Sequence, residues 1–335
     1  CELPQLARDI TAALAGNGPT LGFGEVNSEF GPTQAAVVIG TSGTTGAPKE
    51  IFLSSHALVA SARASNAFVG AKLGDTWSLL LPLTHVAAVN VFVRAFELGT
   101  IPVDLRDHSG EYPRVNFTAI VPTQLFRALN GDDHLLKNLQ GAQKVLVGGA
   151  ALSNAIRNQA TAAGINVVTT YGMSETSGGC VYNGEILEGA EVEVRGGSIF
   201  VRGSILALNL DLSDGWFETN DLGEFIDEKL VVIGRSDDVI ISGGENLSLN
   251  SVESILNENL SDIQCAAFSM DDPQWGQTLH IAIVGEADTD HISSVLEEKV
   301  GAFAKPKGIH FVNSLPLLGI GKVDRKRLAQ ELSNE

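Results

Sequence analysis

Positive charge is scarce in this chain. Lys and Arg number 22 against 40 Asp and Glu, for a formal net charge of −18. A field of that sign excludes sequence-independent nucleic-acid binding and attachment to anionic membrane surfaces. Cysteine is scarcer: Cys1, Cys180 and Cys265 are scattered, with no Cys-x-x-Cys and no Cys/His ligand spacing. That excludes a cysteine-built metal site and points to free thiols in a reducing compartment. No apolar run approaches the ~18–20 residues of a membrane span. The opening residues lack the charged and apolar segments of a secretory leader, so a cytoplasmic protein is expected. Internal repeats and low-complexity tracts are absent.

What is present is alternation. Leu3, Leu6, Ile10 and Leu14 recur at helical spacing. From residue 35, short apolar runs (35–39, 77–81, 100–103, 118–121, 144–147, 166–169) read as buried strands. Between them, 55–69, 87–96, 123–129 and 153–163 read as helices. Strand–helix alternation of this length predicts an α/β fold with a parallel sheet. From about residue 191 the chain holds short strands separated by turns, which predicts a small appended antiparallel sheet or β-barrel. After Asp238 the pattern is mixed, predicting a small α+β unit. The sequence thus reads as a large domain over 1–236 and a small one over 237–335, with a hinge near Asp237; 335 residues accommodate both.

The run 35–39 leads into Gly40-Thr41-Ser42-Gly43-Thr44-Thr45-Gly46-Ala47-Pro48-Lys49. Glycines let successive N–H groups turn toward an anion, hydroxyls add donors, and Lys49 adds a point charge. It is a phosphate-binding loop in composition but not a Walker A loop, since no Gly-Lys-Ser/Thr closes it. If the ligands are polyanions, such local groups and a divalent cation must overcome the negative global field.

This loop resembles the signature of the adenylate-forming superfamily of acyl-CoA ligases, luciferases and peptide-synthetase adenylation domains. Four further segments resemble its other motifs, in the same order: Tyr171-Gly172-Met173-Ser174-Glu175-Thr176; Gly215-Trp216-Phe217-Glu218-Thr219-Asn220-Asp221-Leu222-Gly223; Gly234-Arg235-Ser236-Asp237-Asp238 with Gly243-Gly244-Glu245-Asn246; and Gly321-Lys322-Val323-Asp324-Arg325. The resemblance runs from about residue 35 to the end. It implies ATP, Mg²⁺ and coenzyme A as ligands, with a carboxylic acid attacking the α-phosphate to form an acyl-adenylate. A carboxylate is a poor acyl donor, and bringing two anions together makes charge neutralisation the main requirement.

By the same resemblance Thr41, Ser42, Gly43, Thr44, Thr45, Gly46 and Lys49 grip the phosphates. Glu175 binds Mg²⁺, a hard cation suited to a carboxylate, and Ser174 bonds the α-phosphate. Tyr171, with Gly172 and Met173, lies on adenine; Gly148, Gly149 and Ala150 form the wall beside it. Asp221 takes the ribose hydroxyls, and Arg235 the sugar or phosphates. Lys322 bridges carboxylate and α-phosphate in the transition state. Asp237 is the hinge, and Gly243 and Gly244 approach the pantetheine thiol. His85 lines the acyl pocket. The segments 81–96, 121–125, 145–152 and 243–246 are most similar to the o-succinylbenzoate–CoA ligases of menaquinone synthesis. Their acid carries a second carboxylate, for which Arg94 is the candidate anchor. An unbroken helix from His85 would put Arg94 about 180° away from it. Other aryl or acyl-CoA ligases, a carrier-protein-loading enzyme and a non-catalytic nucleotide-binding homologue stay open, as does a homo-oligomer. Two departures stand out: Glu50 puts a negative charge after Lys49, and Asn250 stands where Pro is frequent.

Overall fold

The computed structural model describes residues 3–41, 49–108, 110–242, 245–260, 264–272, 276–317 and 323–333, with Asp237 described by its backbone alone. Strands β1 (Leu21–Phe23), β2 (Ala35–Thr41) and β3 (Lys49–Ser54) form a sheet of their own, β1 parallel and β3 antiparallel to β2. The run before the phosphate loop therefore does not open the large parallel sheet, as its pattern suggested. Residues 36–39 are buried, partly under helix α1 (Leu3–Leu14), which turns Leu6, Ala7, Ile10 and Ala13 inward.

The main sheet holds β4 (Trp77–Leu79), β5 (Val103–Asp104), β6 (Phe117–Ile120), β7 (Lys144–Val147), β8 (Val167–Met173), β9 (Gly178–Tyr182) and β10 (Glu185–Ile186). Its spatial order is β10-β9-β8-β7-β6-β4-β5. The five strands from β8 to β5 run parallel, β9 returns antiparallel to β8, and β10 pairs antiparallel to β9. Helix α2 (Ser55–Val69) starts where Ser54 accepts a bond from Ala57 N–H and stops at Gly70, whose φ of 73° suits glycine. Helix α3 (Val86–Glu97) buries Val86 and all of 88–95, so it is covered on every side. Helices α4 (Pro122–Leu129), α5 (Asp133–Gly141) and α6 (Asn154–Ala162) follow.

Strands β11 (Ala190–Arg195), β12 (Ser198–Gly203), β13 (Phe217–Ile226) and β14 (Lys229–Arg235) form an antiparallel meander in chain order. Among the described residues its edges β11 and β14 do not pair with each other, so of the antiparallel sheet or barrel expected the unit is an open sheet.

The C-terminal sheet contains β15 (Val239–Ser242), β16 (Glu245–Ser248), β17 (Gln264–Asp272), β18 (Gly276–Val284) and β19 (Gly308–Val312). Side chains alternate across it. Leu279, Ile281 and Ile283 face a core with α7 (Leu249–Asn259) and α8 (Thr289–Lys299). Ala282 faces a second core, with Leu328 of α9 (Arg325–Leu332). Each cluster of buried apolar side chains lies wholly at or before Leu230, or wholly at or after Ile240. Among the described residues no helix is long and apolar enough to cross a membrane.

Candidate active site

β2 and β3 pair up to Thr41 and Lys49, and the Thr41 hydroxyl donates to the Lys49 carbonyl at 2.9 Å. These two residues close the base of the connection that carries the phosphate-loop motif. Ser42, Gly43, Thr44, Thr45 and Gly46 lie outside the described residues. Lys49 and Glu50 are neighbours on a strand, so they point to opposite faces. The Lys49 ammonium lies 3.6 Å from the Glu175 carboxylate. Glu50 instead accepts from Asn27 N–H at 2.6 Å and Ser28 N–H at 3.0 Å. The Ser28 hydroxyl and these N–H groups hold its carboxyl below the usual range. The negative charge after Lys49 is thus engaged on the far face of the strand.

Glu175 sits in a single 3₁₀ turn, Ser174–Thr176, directly after β8. Its own carbonyl accepts from Ala207 N–H at 2.9 Å. Thr176 is fully buried, and its hydroxyl accepts from Met173 N–H at 3.0 Å and donates to Gly178 O at 2.7 Å. Ser174 and Glu175 are thereby set in one orientation, half-exposed above a buried hydroxyl.

A second group assembles where β8 meets the β11–β14 sheet. The Tyr171 hydroxyl donates to Asp221 Oδ2 at 2.9 Å. Asp221 pairs in register with Arg235, whose Nη1 lies 3.9 Å from Asp221 Oδ1. Asp221 N–H donates to the buried Thr219 hydroxyl at 3.1 Å. Burial, and then the Asp221 carboxylate, push the Tyr171 hydroxyl far above its ordinary range, so it remains a donor at any physiological pH. Gly148 follows β7, and a Cβ there would lie 2.1 Å from Thr170 Oγ1. Packing of β7 on β8 therefore already requires this glycine. Gly172 and Ala150 are exposed, and Gly149 and Met173 lie beside them in sequence.

His85 is the N-cap residue of α3, half-buried, with no side-chain cap bond. Arg94 is 4% exposed. Its Nη2 donates to the Tyr182 hydroxyl at 3.1 Å, and its guanidinium lies 4.9 Å from the centre of the Trp77 ring. His85 precedes α3 in extended backbone, at φ −127° and ψ 149°, so the helical count that would set it about 180° from Arg94 does not apply. Arg94 Nε is buried with no hydrogen-bond partner among the described residues.

Lys322, Gly243 and Gly244 lie outside the described residues, as does the Asp237 side chain; the Asp237 backbone belongs to the turn Ser236–Asp238. Two residues to which the sequence reading gave no role, Asn90 and the motif residue Arg325, prove well connected. Asn90 of α3 bonds Ser177 O at 2.7 Å. Arg325 bonds Asp238, Asn250, Glu253 and the Ala267 carbonyl. Asn90 was visible as the lone amide in an apolar helix. Asn250 also donates to Asp238 at 3.1 Å, so its side chain has work that proline could not do.

Residues 6–201 match the model of the AMP-binding enzyme family, and residues 251–322 match the AMP-binding enzyme C-terminal domain. A probable 2-succinylbenzoate–CoA ligase of Mycobacterium tuberculosis is 37% identical over 90% of this chain and 85% of that protein. The corresponding Listeria monocytogenes ligase is 28% identical over 90% of this chain and 71% of that protein. Among solved structures, an E. coli MenE variant with bound OSB-AMS superposes with a TM-score of 0.77 at 24% identity, covering 93% of this chain and 72% of its own. At that identity the superposition speaks for the fold alone.

Proposed function

The chain belongs to the AMP-binding enzyme family, and from that premise we propose that it is an ATP-dependent acid–CoA ligase acting through an acyl-adenylate, with o-succinylbenzoate as its acid. The observation that carries the reading is the approach of Lys49 to Glu175 at 3.6 Å, at the base of the phosphate-loop motif. A cation and a carboxylate from two motifs far apart in sequence face one spot, as a site for a metal-bridged polyphosphate requires.

The donor set fits Mg²⁺. Among the described residues there is no group of three or more side chains able to cage a metal. Mg²⁺ is ordinarily held by one or two carboxylates together with substrate phosphates, and Glu175 supplies such a carboxylate. When bound, the ion would neutralise phosphate charge.

Asp221 and Arg235 take the ribose, and Tyr171, whose hydroxyl is tied to Asp221, offers its ring to the adenine. Ser174 and the loop over 41–49 orient the α-phosphate. The carboxylate oxygen of the acid bonds to the α-phosphorus as the bond to the bridging oxygen of pyrophosphate breaks. Lys322 spans the two negative charges during that exchange. In the second half-reaction the CoA sulfur, its proton lost, attacks the acyl carbon, and AMP leaves with the bonding electrons. His85 lines the acyl side. Gly243 and Gly244 flank the pantetheine, and rotation about Asp237 exchanges the two faces of the C-terminal unit. The separation of the buried clusters near that residue supports a division there.

For the acid, support comes from the name and 37% identity of the mycobacterial relative. The buried Arg94 Nε, without a partner among the described residues, is a donor that a second carboxylate would satisfy. A cytosolic location, where ATP and CoA are supplied, belongs to the same proposal, and a homo-oligomer is compatible with it. The test is a thioester assay across o-succinylbenzoate, benzoate and medium-chain acids, run on the wild type and on Arg94→Ala. Selective loss of o-succinylbenzoate turnover in the variant supports the acid assignment; equal turnover of all acids by both proteins contradicts it.

A further inference from the structure

Helix α3 contributes one uncharged polar side chain to the interior, Asn90, which is fully buried. Burying an amide costs stability where its hydrogen bonds are not made, and Asn90 makes only part of its set: its Oδ1 is buried with no hydrogen-bond partner among the described residues. Asn90 Nδ2 donates to the Ser177 carbonyl at 2.7 Å. Ser177 closes the turn that carries Ser174 and Glu175, and does so in the left-handed region at φ 52°. A residue with a side chain is held there only when its surroundings impose it. Gly178 follows at φ 109°, and a Cβ on it would fall 2.1 Å from Asn90 Nδ2. The amide therefore abuts the backbone of the turn as well as bonding it.

We propose that Asn90 is a positioning residue for Glu175. By fixing the Ser177 carbonyl from α3, it sets the direction in which the Glu175 carboxylate meets Lys49 and the metal-bridged phosphates. The helix whose first turn adjoins His85, on the acid side, is thereby joined to the carboxylate on the nucleotide side. This inference rests on the reading of Glu175 as the metal-ion carboxylate.

Calorimetric titration with ATP, in EDTA and in excess Mg²⁺, separates the possibilities. The quantity read is the gain in ATP affinity on adding Mg²⁺, measured on the wild type, Glu175→Gln and Asn90→Ala, each first melted to check that it is folded. Asn90→Ala is expected to lose roughly tenfold of that gain, the size typical of a lost partner to a metal ligand, with affinity in EDTA within twofold of wild type. A full Mg²⁺ gain in Asn90→Ala, even with a lowered Tm, overturns the proposal and leaves Asn90 a purely structural residue. Asn90→Asp keeps the shape and is the second variant should the first fail to fold. Its ionised carboxylate repels the Ser177 carbonyl instead of donating to it, so the gain is expected to fall as in Asn90→Ala; a wild-type gain is again contrary. If Glu175→Gln keeps the gain, it is the reading of Glu175 that fails, independently of Asn90.

Discussion

Arg325 reaches across the C-terminal unit to Asp238, at 3.1 Å, so the start of the last helix is bonded to the residue that follows Asp237. The same guanidinium holds Glu253 at 2.9 Å and Asn250 Oδ1 at 2.7 Å.

Removal of this cation leaves two carboxylates facing each other in a mostly buried place. Arg325→Gln is expected to destabilise the protein by about 2–3 kcal/mol, below the usual cost of breaking a fully buried pair because both partners are partly exposed. The deficit depends on pH. Burial already raises the Glu253 carboxyl above its ordinary value, with Arg325 opposing that rise. Without Arg325 the folded-state value rises further. Stability is then present at low pH and is lost as pH climbs above the unfolded carboxyl's value. Melts of the variant should lie closer to wild type at pH 5 than at pH 8; a deficit equal at both would contradict this account.

His280 titrates in the opposite sense. It donates to or accepts from His310 at 3.0 Å and Thr278 at 3.2 Å. Burial, then His310 and Lys307, lower it to about 4. The unfolded chain binds a proton near pH 6.5 and the folded chain only near pH 4, so stability falls as pH drops through that window. The loss should approach about 3 kcal/mol. His280→Gln should flatten this part of the stability–pH curve; an unchanged slope would show that another group is responsible.

Tyr171→Phe keeps the ring and removes the donor to Asp221. The expected cost is about 1 kcal/mol, read as a roughly fivefold rise in KM for ATP with kcat little changed. Because the hydroxyl stays protonated, the ratio of variant to wild-type KM should not vary between pH 6 and 9. A change confined to kcat would contradict the nucleotide-side placement.

These expectations draw on features of unequal visibility. The helix over 55–69 and the strand over 144–147 were legible because their burial is uniform or strongly periodic. Strand β3 was not: its inward set is only Ile51 and Leu53, after a charged pair. Helix α5 buries just Leu135, Asn138 and Leu139, too few for a clear period. Strand β13 places Thr219 and Asp221 inward among polar neighbours, so its motif was readable while its secondary structure was not. Motif order pointed to Glu175, Tyr171 and Asp221 as one site, and the fold brings Tyr171 to Asp221 and Glu175 to Lys49. The contacts Asn90–Ser177 and Arg325–Asp238 each join residues 87 apart. No local pattern encodes such pairings.

Lys322→Ala and Gly244→Leu should divide the two half-reactions. The first is expected to lower pyrophosphate formation by about 10²–10³-fold, the scale of removing one transition-state charge contact, with ATP affinity nearly intact. The second should spare adenylation and block thioester formation, since a side chain there would obstruct a thin ligand. Equal loss of both steps in either variant would contradict the assignment, with adenylation read as pyrophosphate release from ATP and thioester formation read in single turnovers supplied with acyl-adenylate.

The most direct measurement is pyrophosphate release from Mg-ATP on adding o-succinylbenzoate, with CoA withheld. An acid-dependent burst of about one pyrophosphate per enzyme, as expected for a retained adenylate, is the predicted result. Inorganic phosphate in its place, or no pyrophosphate with any acid offered, would contradict the account.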